Sequence, residues 1–137
     1  MAKQPFQEII KGALDADPTD DERKYDANYE SLKQLAASIQ QWFGKQPKQK
    51  RVSVLVEPGY QIDVGQQFNV VLQIPEKAIR DTLFRAYLAP DGTVRFDFYG
   101  EDYVTCSNAD EMGKGVQEFL SQPEVRSRMR VYKDLAS

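Results

Sequence analysis

The chain has 137 residues, 41% hydrophobic and 28% charged, which suits one domain that buries roughly two-thirds of its unfolded surface and is too apolar for wholesale disorder. It contains no histidine and one cysteine, Cys106, which excludes a Ser-His-Asp triad, a Cys-His pair, an imidazole metal ligand and, within one chain, a disulfide or thiolate zinc site. Net charge is −3, with eight acidic and five basic residues in 1–44, eight of each in 45–106 and five of each in 107–137, so no block carries the cationic excess that drives general nucleic-acid binding.

From the N-terminus, Phe6, Ile9, Ile10, Ala13 and Leu14 recur at helical spacing and predict a short amphipathic helix, weakened by Gly12. Pro18 breaks it. Thr19 with Glu22 forms a capping box, and Asp20, Asp21 and Glu22 in the first turn complement the helix dipole. Tyr25, Tyr29, Leu32, Ala36, Ile39 and Phe43 then trace one stripe, which predicts a long helix over about 20–43, ended by Gly44.

The next zone, about 51–106, alternates with the period of strands. Val52, Val54 and Val56 alternate with Ser53 and Leu55, and Phe68, Val70, Leu72 and Ile74 with Asn69, Val71 and Gln73. Between them, Glu57-Pro58-Gly59-Tyr60 reads as a turn, followed by a short extra strand through Tyr60, Ile62 and Val64. The clearest register lies in 82–100. Ala89-Pro90-Asp91-Gly92-Thr93 suits a type I turn closed by glycine in the left-handed position. Setting Ala89 opposite Thr93 pairs Leu88 with Val94, Ala86 with Phe96 and Phe84 with Phe98 on an apolar face. The other face then pairs Tyr87 with Arg95, Arg85 with Asp97 and Leu83 with Tyr99. Tyr103-Val104-Thr105 continues the sheet.

Two short helices follow. Asn108 and Glu111 cap a segment with Met112, Val116, Phe119 and Leu120 on one side, and Pro123 opens another with Val125, Met129 and Tyr132. The whole reads as one domain, 1–137, of α+β class. A four- to six-stranded antiparallel meander packs on the long N-terminal helix and precedes two short C-terminal helices.

Several groups carry candidate chemistry. Asp15, Asp17 and Thr19 have the opening spacing of a calcium loop, but Asp20 replaces its glycine and Asp26 its final glutamate, so a plain acidic linker is the simpler reading. Asp97, Glu101 and Asp102 place three carboxylates near the end of the hairpin, while Arg85 opposite Asp97 explains one of them as a cross-strand pair. Lys45, Lys48, Lys50 and Arg51 form one basic patch and Arg126, Arg128, Arg130 and Lys133 another; both read as solvated surface. Cys106 precedes a helix N-terminus, which lowers thiol pKa, but no histidine activates it and a structural thiol is expected.

The strongest candidate surface is the outward hairpin face carrying Leu83, Arg85, Tyr87, Arg95 and Tyr99, residue types that make interface hot spots; the rival reading is that the C-terminal helices cover this face and make it a second core layer. No Gly-rich phosphate loop is present. The expectation is therefore a non-catalytic protein-interaction or accessory module. It would need no cofactor and no metal, and would act through a protein partner or self-association as a homodimer, not through nucleic acid. The alternative is a small-ligand-binding protein or carboxylate-based enzyme with a pocket between sheet and long helix, lined by Phe84, Phe96 and Phe98. No apolar run approaches the roughly 18 residues of a membrane span. With no signal-like N-terminal core and one cysteine, the cytoplasm is the expected compartment.

Overall fold

A computed structural model describes residues 5–45, 51–100 and 102–136. Helix α1 (Pro5–Leu14) precedes the long α2 (Asp20–Trp42), whose N-terminus is closed as its sequence requires: the Glu22 amide donates to the Thr19 hydroxyl at 3.2 Å. Five strands follow, β1 (Ser53–Ile62), β2 (Gly65–Ile74), β3 (Ile79–Leu88), β4 (Val94–Asp97) and β5 (Val104–Cys106). They form one antiparallel sheet in the order β1-β2-β3-β4-β5, with a 3₁₀ turn at Pro75–Lys77 between β2 and β3. Helices α3 (Ala109–Leu120) and α4 (Pro123–Leu135) complete the chain. The fold is α+β, and the helices fall where the periodicity places them.

The hairpin has the register set by its turn. Leu88 pairs with Val94, Ala86 with Phe96, Tyr87 with Arg95 and Arg85 with Asp97. Ala89 and Thr93 are joined by a 2.9 Å backbone hydrogen bond, and Gly92 sits at φ 89°, where a side chain would be strained. On the apolar side Phe84, Ala86, Leu88, Val94 and Phe96 are fully buried, and Phe98 packs against them partly buried.

The expected turn at Glu57-Pro58-Gly59-Tyr60 is instead the middle of β1, which runs through it with a register irregularity between Pro58 and Gln61. An edge strand tolerates proline because one of its sides has no ladder to break. The connection to β2 lies later, at 63–64, and leads into Gly65 at φ 133°, where a Cβ would strike the Leu88 carbonyl oxygen at 2.4 Å. No separate strand begins at Tyr60.

Leu83 is the second departure. Between β2 and β3 the register slips at Val70/Val71, so Val70 faces Phe84 while Val71 faces Thr82. The extra residue, Leu83, has no opposite number. The bulge turns it into the packed cluster with Phe84, fully buried. Simple alternation cannot foresee this, because one inserted residue shifts every position beyond it to the other face.

Three helices cover one face of the sheet. Leu32, Ala36 and Ile39 of α2, Met112, Val116 and Phe119 of α3, and Val125 and Met129 of α4 share a single cluster with Val54, Val70, Leu72, Phe84 and Phe96. Phe119 lies 5.7 Å from Phe84 and stacks on Phe98 at 4.6 Å between ring centroids. Phe84, Phe96, Phe98 and Phe119 thus pack ring against ring on the covered face. Among the described residues, no helix packs on the opposite face.

Candidate interaction surface

The uncovered face is built by strand alternation. Gln67, Tyr87, Arg95 and Thr105 lie side by side across four strands, and Asn69, Arg85 and Asp97 form the next row. Of the five residues expected here, Arg85, Tyr87, Arg95 and Tyr99 are present and Leu83 is not.

Tyr87 is only 6% exposed. The ring of Tyr103, just before β5, covers it edge-on with centroids 5.5 Å apart. Burial, and next the neighbouring Tyr103, raise the Tyr87 hydroxyl above its ordinary range. Tyr103 itself remains 47% exposed. It belongs to this surface and was missed by sequence reasoning, although its place two residues before Thr105 puts it on the same face.

Tyr99 reaches the face by a different route. Strand β4 ends at Asp97, and Tyr99 adopts φ 63° and turns its ring back over β3. Its hydroxyl donates to the Thr82 carbonyl oxygen at 3.1 Å, supplying a partner where β4 no longer runs alongside. The guanidinium of Arg85 lies 5.8 Å from the Tyr99 ring centroid, a cation–π arrangement.

Arg85 and Asp97 stand opposite each other in register, yet the expected pair does not form. Asp97 Oδ1 accepts the Tyr99 amide at 2.8 Å. Arg85 Nε is buried without a hydrogen-bond partner, and neither Arg85 nor Arg95 makes an ion pair among the described residues. A buried donor in this state carries a desolvation cost that an incoming acceptor would remove. Arg80, a further cation on this face, is paired with Glu57.

The remaining candidates separate. Asp20 and Asp26 lie inside α2 and the Thr19 hydroxyl is its cap, so the calcium-loop spacing is not a loop; among the described residues no cluster could hold a metal ion. Glu101, Lys48 and Lys50 lie outside the described residues. In the C-terminal basic patch Arg128 Nε approaches Asp81 Oδ2 at 3.5 Å, Lys133 sits 4.3 Å above the Trp42 ring, and Arg126 and Arg130 border a groove between α2, α3 and α4. Cys106 is 1% exposed, and burial, then Glu111, push its thiol up to about 11. Desolvation outweighs the nearby helix N-terminus, so this is no nucleophile at neutral pH.

Compared with known proteins, the chain matches no family model, no curated protein and no solved structure.

Proposed function

We propose that this chain is a non-catalytic protein-interaction module whose open sheet face receives an acidic segment of a partner protein. The observation that carries this reading is Arg85. Among the described residues no helix covers its face, its Nε has no hydrogen-bond partner, and Arg95 stands nearby without an ion pair. A carboxylate placed here gains charge-assisted hydrogen bonds, stronger than neutral ones. Tyr99 and Tyr103 frame the arginines with rigid rings that lose little side-chain entropy on binding. A single cysteine, buried and unreactive, suits a reducing compartment, and the cytoplasm is the compartment that fits this reading.

The test is co-purification from the native host with the full chain and with an Arg95→Glu/Tyr99→Ala variant. A specific protein should accompany the wild type in fixed stoichiometry and fall at least about tenfold with the variant, the loss typical of a true hot spot. Equal recovery on both would overturn the reading.

A further inference from the structure

Helix α1 presents Phe6, Ile9, Ile10 and Leu14 to solvent at 73%, 66%, 56% and 80% exposure. These four large apolar side chains share one face of a ten-residue helix, an exposed apolar patch of the kind that marks contact sites. Between α2, α3 and α4 lies a groove of about 570 Å³, with Leu35, Trp42, Val116 and Leu120 among its walls and Arg126 and Arg130 at its rim.

We propose that α1 of one copy docks in the α2–α3–α4 groove of a second copy, and that the exchange is reciprocal. Charge agrees with this pairing. Asp15 and Asp17 follow directly on Leu14, and the two rim arginines make no ion pair among the described residues. Gly113 also agrees. It lies inside α3 on the groove wall, and a Cβ there would meet nothing within 4 Å. Glycine weakens a helix interior relative to alanine, and among the described residues no contact requires its small size. Close approach of another helix does.

Chain reach selects a second copy over the same one. Leu35, where the groove begins, lies about 22 Å along α2 from Asp20, at 1.5 Å per residue. The connection from Leu14 to Asp20 spans about 20 Å when fully extended. It contains Pro18 and ends in the Thr19 cap, so it is not taut. Docking within one chain would strain this link, whereas docking between copies leaves it as it is. One short helix covers less than the roughly 1,200–2,000 Å² of a stable interface, and a two-fold exchange doubles the area and closes the assembly.

Light scattering on the full-length protein decides the matter, with Trp42 as a reporter, since it is the chain's single tryptophan, 44% exposed in the groove. The wild type should have twice the 15.7 kDa of one chain, and its Trp42 emission should shift to the blue as concentration rises. Ile9→Asp/Ile10→Asp on the exposed helix and Gly113→Met in the groove should each give one chain mass, with the helix content of the wild type and a thermal midpoint that, unlike the wild type's, does not rise with protein concentration. Mixed Ile10→Cys and Gln117→Cys chains should cross-link to one another on oxidation. A monomeric wild type, a dimer that survives either variant, or a doubly substituted Ile10→Cys/Gln117→Cys chain that closes on itself would overturn the proposal.

Discussion

The Asn28 side-chain amide donates to the Gly92 carbonyl oxygen at 2.8 Å, tying the middle of α2 to the tip of the β3–β4 hairpin. Asn28 is 6% exposed and lies on the same helical stripe as the apolar residues around it. Removing one partner of a buried hydrogen bond leaves the other unsatisfied, so Asn28→Ala should cost about 1–3 kcal/mol in urea melts.

Gly92→Ala should be destabilising for a separate reason. At φ 89° a side chain is strained, and its Cβ would meet Lys24 Cβ at 2.8 Å. A loss of more than about 1 kcal/mol is expected. Equal stability of wild type and variant would mean that α2 does not clamp this turn.

Phe96 is fully buried and its ring meets Phe84 edge-on at 5.6 Å. Phe96→Ala should cost about 3–5 kcal/mol. Leu83 provides the sharper comparison. In the core position set by the bulge, Leu83→Ala should cost about 2–5 kcal/mol, while Leu55→Ala on the open face, where Leu55 is 40% exposed, should stay within about 0.5 kcal/mol. Similar small losses for both would return Leu83 to the outer face.

The buried Cys106 thiol and the partly buried Tyr132 hydroxyl both bear on stability at alkaline pH. Cys106 rises from 9.0 to about 11, and Tyr132 from 10.0 to about 12 through burial and its 2.6 Å hydrogen bond to Asp81. Both folded pKa values exceed the unfolded ones, so the folded state holds protons that the unfolded state has released. Stability should therefore be intact below pH 9 and fall as pH rises toward 12. Cys106→Ala should move the onset of that fall up to about pH 10, where Tyr132 begins to act. An unchanged onset in that variant would remove Cys106 from the account.

The hairpin was legible because turn chemistry and face segregation agree: Pro90, Asp91 and Gly92 fix the register that Phe84, Phe96 and Phe98 require. The capped ends of α2 and α3 were legible for the same reason, with Thr19 and Asn108 each accepting the amide three residues on. Leu83 was not, since a bulge is decided by how two strands meet and leaves no periodic mark on either. Pro58 and Gly59 resembled a turn because the same residues that end strands also bend edge strands. On the candidate surface, Arg85 and Arg95 could be placed from alternation alone. Alternation from Thr105 also puts Tyr103 on this face, but the burial of Tyr87 depends on the Tyr103 ring closing over it from the approach to β5, a contact that strand pairing does not encode.

Hydroxyl-radical footprinting in native extract against the isolated chain tests whether the open sheet face meets another protein, whatever that partner is. Oxidation of Tyr99 and Tyr103, about half exposed in the isolated chain, should fall severalfold in extract, while Tyr60, 82% exposed on β1, should label equally in both. Equal labelling of Tyr99 and Tyr103 in the two samples would contradict the account.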